Sequence, residues 1–509
     1  MKKIISIVFL VGFAMLAQAQ QYYDVTKFGA KKDSSAKATA AIKKAIDAAS
    51  KAGGGTVYFP AGKYLTGPIH LKSNITIFID AGAELHFSDD FDDYLPMVES
   101  RYEGVDVQSF SPLFYAYKVE NITIRGRGKI NGHGQKWWNY VLNFPKDQPR
   151  NKWQLAFDAA NKNTLYTADS GQMVRGFLRP PFIQPMYCKN ILIEGITITN
   201  SPFWTINPEF CENITVNGVT IDNPKSPNTD GINAESCKYV HVSNCHISVG
   251  DDCITIKSGK DLPGRLKNAP AENYTITNCT MLNGHGGVVI GSEMSGGVKK
   301  IVISNCVFDG TDRGIRIKTT RGRGGVVEDI RVDNIVMKNI KEQAIVLDMQ
   351  YSKVPAEPLS ERTPQFRNIR LSNITAYTKQ AMYINGLDEM PVSEISLNDI
   401  VFESETGIVM RNANDIELHN VRVNAKKGSA LQAEKTQRLD IDGLTSAKPV
   451  ADAPLIKLNN VQDVLLRNCW PFSGTKNFVT VNGGESKNIK LLNNELGDAT
   501  VVYGDEVKH

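Results

Sequence analysis

The sequence predicts an all-β chain wound as a right-handed parallel β-helix, with one capping helix at its N-terminal end. Three observations predict this fold: short runs that alternate apolar and small polar residues, their recurrence about every 25 residues, and one amphipathic segment before them. Alternation at β-branched positions is typical of strands with one buried face. A unit of this length cannot bury that face alone, so successive units must stack.

The amphipathic segment spans Ala36 to Ala52 and is followed by three glycines. We place it as a helix over the open end of the first coil, where an uncovered strand edge would invite aggregation.

The repeated runs are often entered or left through Asn or Gly. They start at Asn190, Asn213, Tyr239, Asn273, Lys300, Asp329, Asn368, Glu394, Asp415, Arg438, Asp463 and Asn488, which lie 21 to 39 residues apart. Leucine-rich and WD-type repeats have similar periods, but the leucine ladder and the Trp-Asp signature are absent. No linker divides the chain, so we predict a single domain over residues 20–509.

Residues 1–19 have the pattern of a cleavable signal peptide. Two lysines precede an apolar stretch that is too short to span a bilayer, and Ala17-Gln-Ala19 forms a small-residue cleavage site. We therefore expect a secreted or periplasmic protein without a membrane anchor. Cleavage lowers the formal net charge from +4 to +2, and this near-neutral balance argues against nucleic-acid binding.

Four segments in consecutive coils depart from the repeat. They are Asn228-Thr-Asp230-Gly, Gly250-Asp251-Asp252-Cys, Gly284-His285-Gly-Gly and Arg316-Ile-Lys318. The apolar residues that follow the first three segments, or lie within the fourth, occupy the same alternating strand positions. When the segments are aligned by these apolar positions, Asp230 stacks on Asp252, and Asp251 stacks on His285.

Adjacent strands lie about 4.8 Å apart, so this alignment brings three carboxylates, an imidazole and a guanidinium onto one wall. Strict alternation would point Asp230 and Asp252 inward, and we expect both to lie in turns just before their strands. Carboxylates this close cannot all ionise at their ordinary pKa, so at least one is expected to stay protonated. A glycosidase needs such an acid beside a base. This chemistry requires no metal ion or cofactor, and we predict neither.

These segments resemble the signatures of the polygalacturonases, the pectin hydrolases of glycoside hydrolase family twenty-eight. The likeness extends from the Tyr23 region to at least Asp348. It implies a pectin-lyase-like β-helix and inverting hydrolysis of α-galacturonosidic bonds. Asp251 is then the general acid, while Asp230 and Asp252 hold the attacking water.

The resemblance also implies that His285 tunes the acid, and that Arg316 and Lys318 bind a substrate carboxylate. Asn228 and Lys257 are further candidates for substrate binding. Lys257 is in register with Lys318, although it fits a plain solvent-facing lysine as well. The expected partner is a pectic polysaccharide or an oligogalacturonide.

We expect exo action, with one galacturonic acid released at a time from the non-reducing end. Long insertions at residues 133–185 and 351–367 are able to wall off one end of a groove, and many endo-acting relatives have Gln at the position of Gly250. The alternative is that both insertions pack on the outside of the helix. Likewise, Trp137, Trp138 and Trp153 of the first insertion either contact sugar or pack the insertion down.

The eight cysteines are predicted to be buried free thiols. Cys245, Cys279, Cys306 and Cys469 directly follow an asparagine within strand-like runs. Fungal relatives often pair the cysteine that matches Cys253 with one just before the Gly-His-Gly segment. This chain has Met281 and Leu282 there, so we expect no such disulfide.

Other functions remain open. The substrate is either homogalacturonan or the galacturonic acid to rhamnose backbone of rhamnogalacturonan, which differ in the leaving sugar. A pectate lyase uses the same fold, but it usually needs Ca²⁺ and an Arg or Lys base, whereas His285 beside three carboxylates favours hydrolysis. A non-catalytic carbohydrate-binding β-helix is the alternative from another class.

Overall fold

The computed structural model describes residues 22–143, 149–162 and 179–507. Its strands stack in parallel as a right-handed β-helix, which confirms the predicted fold class. The predicted signal peptide lies outside the described residues. Within the described ranges, no helix is both long enough and apolar enough to cross a membrane.

Most coils contribute one strand to each of three parallel ladders. The first ladder contains Tyr22–Asp24, Gly55–Phe59, Ile75–Ile79, Glu120–Gly126, Lys189–Glu194, Glu212–Asn217, Lys238–Ser243, Ala271–Thr277, Gln462–Arg467 and Lys487–Leu492. The second contains Asp33–Lys37, Gly62–Thr66, Ala83–Phe87, Lys129–Asn131, Thr197–Thr199, Thr220–Asp222, His246–Ser248, Thr280–Asn283, Thr445–Ser446 and Trp470–Pro471. The third contains Ile69–His70, Phe114–Tyr117, Ile183–Met186, Ile232–Glu235, Asp252–Lys257, Gly286–Ile290, Ile315–Lys318, Ile456–Asn459, Asn477–Asn482 and Thr500–Tyr503.

Four long strands turn the corners between ladders without a break: Val298–Asp309, Val326–Asp348, Gln365–Asn385 and Val392–Asp442. One antiparallel pair, Val98–Tyr102 with Val105–Ser109, lies outside the ladders. The α-helices are Thr39–Lys51, Gln135–Leu142, Lys152–Ala160 and Asp261–Lys267, with 3-10 turns at Val25–Phe28 and Phe91–Tyr94.

The predicted repeat starts share one backbone conformation. All twelve have φ between 51° and 63°, in the left-handed region. Asn tolerates this region better than most residues, and its amide also bonds to the next coil. The Asn121 side chain donates to Asn74 at 2.8 Å, and Asn190 donates to Asn121 at 2.8 Å. Asn is therefore frequent at these starts for two reasons: it tolerates the left-handed backbone, and its side-chain amide bonds to the next coil.

The capping helix spans Thr39–Lys51, within the predicted range. Its buried face consists of Ala41, Ile42, Ala45, Ile46 and Ala49, and it packs against the first strands of the helix. The prediction of a helical cap is confirmed.

The tryptophans of the first insertion pack that insertion onto the β-helix. Trp137 is fully buried, with its ring 4.1 Å from that of Phe91. Nε1 of Trp138 donates to the Ser201 carbonyl at 2.9 Å, and Nε1 of Trp153 donates to Asp92 at 2.7 Å. These contacts favour the packing alternative.

All eight cysteines are buried and unbridged, as predicted. Sγ of Cys253 donates to the Asn283 carbonyl at 2.7 Å, so the position that is often bridged in fungal relatives forms a hydrogen bond here.

Candidate active site

The four unusual segments meet on the third ladder in the register that the sequence predicts. Ile232 pairs with Ile254, and Ile254 pairs with Val288. In the turns before these strands, the Gly231 amide donates to the Asp252 carbonyl at 3.0 Å, and the His285 amide donates to the Asp251 carbonyl at 2.8 Å. Asp230 therefore lies beside Asp252, and Asp251 lies beside His285.

The turn before Asp252 is tight. A side chain at Gly250 would place its Cβ 2.3 Å from the Ser226 carbonyl, so this backbone path requires glycine. Asp230 precedes its strand, as predicted. Asp252 is already the first residue of its strand, because its backbone pairs with Gly286. The prediction of a turn is thus wrong for Asp252 by one residue.

Asp230 is a buried carboxyl, only 3% exposed. Its Oδ2 accepts hydrogen bonds from Asn233 at 2.9 Å and from Thr255 at 3.1 Å. Burial, followed by the charge of Asp251, raises the pKa of Asp230 well above its ordinary value. Burial therefore favours the protonated form of Asp230.

Asp252 is also buried, but two cations face it. Nζ of Lys318 donates to Oδ2 at 3.0 Å, and Nη1 of Arg316 lies 3.6 Å from Oδ1. Burial opposes ionisation, yet Lys318 and Arg316 hold the pKa of Asp252 below its ordinary value. The two stacked acids are therefore driven in opposite directions, which is the arrangement that separates acid and base roles.

Asp251 is the most exposed of the three acids. Its side chain is 18% exposed, and Oδ1 lies 3.1 Å from Nδ1 of His285. That hydrogen bond raises the pKa of His285. Nδ2 of Asn228 is 3.5 Å from Oδ2 of Asp251, so the predicted site residue Asn228 lies beside Asp251.

Lys257 is not the solvent-facing lysine of the alternative interpretation. It is 5% exposed, and its Nζ lies 2.5 Å from Glu293 and 5.1 Å from the centre of the Trp204 ring. Its charge is therefore balanced by a carboxylate that the sequence analysis missed. Glu293 lies in the run Gly291–Gly297, where a charged residue between small residues was the available signal.

Comparisons with known proteins identify the family. The sequence profile described as glycosyl hydrolases family 28 matches residues 162–415, a range that includes all four segments. A solved exopolygalacturonase from Thermotoga maritima is 33% identical, with a TM-score of 0.71 and coverage of 79% of this chain and 91% of that one. The chain belongs to glycosyl hydrolase family 28. A second profile, rhamnogalacturonase A/epimerase, pectate lyase-like, matches residues 22–144.

Two curated relatives are similar over a shorter part of their length. A probable polygalacturonase from Vitis vinifera is 34% identical over 62% of this chain. An exo-poly-alpha-D-galacturonosidase from Dickeya chrysanthemi is 30% identical over 65% of it. The matches span 60% and 57% of those two relatives.

Both insertions bring residues to this family 28 site. Arg179, near the end of the first insertion, donates to Asn228 at 2.7 Å and to the Pro227 carbonyl at 2.6 Å. The Tyr351 ring of the second insertion lies 5.6 Å from the Arg316 guanidinium and 5.3 Å from Nζ of Lys318. The alternative that both insertions pack away from the site is wrong for these residues.

The acids have hydrogen-bond donors and cations as neighbours. Among the described residues, no cluster of three or more His, Cys, Asp or Glu side chains has a geometry that would hold a metal ion.

Proposed function

We propose that the protein is an exo-acting polygalacturonase that hydrolyses α-galacturonosidic bonds of pectic polysaccharides with inversion. The observation that carries this proposal is the meeting of three acids in one register, with Lys318 and Arg316 at Asp252 and His285 at Asp251. Asp230 has a raised pKa, Asp252 has a lowered pKa, and the more exposed Asp251 is bonded to His285. Acid/base hydrolysis requires carboxyl groups in different protonation states.

Asp251 is the proton donor in this mechanism. Of the three acids it is the one whose side chain reaches the groove surface, where a glycosidic oxygen is accessible. Asp252, ionised beside Lys318, accepts a proton from water as the water oxygen attacks the anomeric carbon. Asp230 orients the same water. The bond to the leaving sugar breaks as Asp251 gives its proton to the glycosidic oxygen, and one attack from the opposite face inverts the configuration.

Arg316 and Lys318 provide the preference for uronates. Both project outward from the strand that follows the His285 coil, and both are held at Asp252 and over the Tyr351 ring. A planar guanidinium suits a carboxylate. A neutral sugar would leave these two cations with only Asp252 to balance them.

The exo mode is supported by likeness and by the insertions. The Thermotoga maritima relative is an exopolygalacturonase, and Arg179 and Tyr351 bring both insertions to the site. The leader-like residues 1–19 support release into the periplasm or the medium.

Hydrolysis of the rhamnogalacturonan backbone is the second candidate. It is favoured by the match of residues 22–144 to the rhamnogalacturonase A/epimerase profile. Both backbones present galacturonic acid on the non-reducing side of the cut, so the acids and Arg316 serve either reaction.

Defined oligosaccharides of both types test the proposal. We expect galacturonic acid as the first product from homogalacturonan, with reducing sugar rising while polymer viscosity barely falls. Cleavage of rhamnogalacturonan oligomers alone would favour the second candidate. An unsaturated product that absorbs ultraviolet light and disappears with a chelator would indicate a lyase, and binding without any cleavage would indicate a non-catalytic β-helix.

A further inference from the structure

A hairpin covers the outer face of the third ladder next to the acids. Its strands, Val98–Tyr102 and Val105–Ser109, form the antiparallel pair. Beneath it, the outward-facing side chains of Gln184, Glu209 and Glu235 are completely buried. Outward-facing polar residues of a β-helix normally contact water, so their burial marks the part of the groove that the hairpin fills.

Arg101 joins the hairpin to two coils. Its side chain is 1% exposed, its Nε lies 3.1 Å from Glu209, and its Nη2 donates to Glu235. The same guanidinium also binds the hairpin itself, through Asp106 at 2.6 Å and the Gly104 carbonyl at 2.8 Å. A buried, shared guanidinium of this kind fixes one arrangement of two elements, because any displacement would leave charges buried without a partner.

The hairpin tip rests against the loop that follows the Asp252 strand. A Cβ on Gly104 would lie 2.6 Å from the Lys260 amide nitrogen, and the Glu103 carboxylate is 3.6 Å from Nζ of Lys260. Tyr102 stacks on Phe203, with ring centres 4.6 Å apart and planes 12° apart. The tip is therefore fixed on both sides.

The covered surface reaches the coil that carries the first acid. Glu235, under the hairpin, is the last residue of the strand Ile232–Glu235, and Asp230 lies two residues before that strand in the same coil. The hairpin therefore covers Gln184 and Glu209 on the two coils before the acids, and one end of the coil that carries Asp230. A polymer extending over these two coils would have to displace the hairpin.

We propose that Arg101 fixes this hairpin as the closed end of the groove, and that this closure limits cleavage to the terminal sugar. The inference rests on the hydrolase function proposed above and adds the element that sets the exo mode. Arg101 is a positioning residue, since it contacts neither the acids nor the open groove. The sequence predicted closure by residues 133–185 and 351–367, and the hairpin at residues 98–109 was not predicted.

The double variant Arg101→Met/Glu235→Gln tests the closure. It removes the guanidinium together with one of its carboxylates, while burial, the largest cause of the raised pKa of Glu209, remains, so no lone charge is left buried. The matched control, Arg367→Met/Glu328→Gln, removes an ion pair at 2.7 Å on the first ladder. The measurements are product lengths at low conversion of homogalacturonan, viscosity loss per bond cleaved, and kcat on digalacturonic acid.

We expect monomer alone from the wild type and the control. The double variant should release oligomers, with a larger viscosity loss per bond, and should retain its kcat on digalacturonic acid. A folded variant that still releases only monomer overturns the inference. So does an equal loss of kcat on dimer and polymer, because the hairpin would then support the acids and not the groove end.

Gly104→Val provides a second route if the double variant does not fold. The added side chain would push the tip away from Lys260 without changing any charge, and the same products are expected. The proposed function fails separately: a wild type that releases oligomers from the start refutes exo action itself. An exo-acting wild type with an exo-acting Gly104→Val variant refutes only the role of the hairpin.

Discussion

Nδ1 of His285 lies 3.1 Å from Oδ1 of Asp251, on the neighbouring coil. The hydrogen bond raises the pKa of His285 above its ordinary value of 6.5. The hydrogen bond therefore contributes its full stabilisation to the fold below pH 6.5. This contribution is lost as the pH rises through the raised pKa of His285. We expect His285→Ala to lower the melting temperature at acidic pH more than at alkaline pH, and to alter the alkaline limb of kcat/KM.

The control for that variant is His241→Ala, which removes an exposed imidazole bonded to Thr275 on the first ladder. An alkaline limb that is identical in wild type and His285→Ala would contradict a role for His285 at the acid.

Asp251→Asn should lower kcat by about two or more orders of magnitude, the usual contribution of a general acid. The amide keeps the shape of the carboxyl but has no proton to give. Steady-state kinetics on oligogalacturonides measures the loss, with the exposed Asp222→Asn as the isosteric control. Near-normal turnover of Asp251→Asn would mean that another group is the acid.

Inversion makes a geometric prediction and a chemical one. The carboxyl of Asp251 and the base carboxyl should lie at or slightly below the roughly 6.5 to 9.5 Å that leaves room for water. Proton NMR of the first product should show the β-anomer from an α-linked substrate. Initial release of the α-anomer would exclude the mechanism.

Arg316→Ala should raise KM for galacturonate oligomers about 10- to 100-fold, the loss expected for a hydrogen bond to a charged group. Methyl-esterified oligomers should already be poor substrates of the wild type. Arg331→Ala, which removes an arginine bonded to Asn368 on the first ladder, is the control. Equal cleavage of esterified and free-acid oligomers would contradict carboxylate recognition by Arg316.

Asp230→Asn should abolish most activity and yet stabilise the fold at neutral pH. Because the pKa of Asp230 is raised, folding becomes less favourable as the pH rises above the ordinary pKa of 3.8. The Asn amide does not ionise, so the variant does not lose stability as the pH rises. Thermal melts at pH 7 and near pH 3 should show a gain in stability at the higher pH that shrinks at the lower one, and a gain of equal size at both would refute the buried-acid account.

The register of the site was readable from sequence because a β-helix repeats one local rule. Apolar pairs such as Ile232 and Ile254 fix the register, so the stacking of Asp230 on Asp252 and of Asp251 on His285 follows without long-range information. The exception is Asp252, where strand pairing begins one residue earlier than alternation indicates. Parity alone does not determine where a ladder starts.

Residues outside the repeat could not be placed in this way. Arg179 and Tyr351 reach the site from insertions that follow no period, and Arg101 lies in a hairpin whose partners, Glu209 and Glu235, are more than a hundred residues away. Such contacts depend on the path of a loop across the surface. For the same reason, the pairing of Lys257 with Glu293 was visible only in three dimensions.

The unbridged cysteines affect where this enzyme can be made. No covalent cross-link among the described residues depends on an oxidant, and all eight thiols lie in the packed interior. The same native structure should therefore form in a reducing cytoplasm and in an oxidising periplasm. Neither a disulfide isomerase nor export is then a precondition for obtaining active protein.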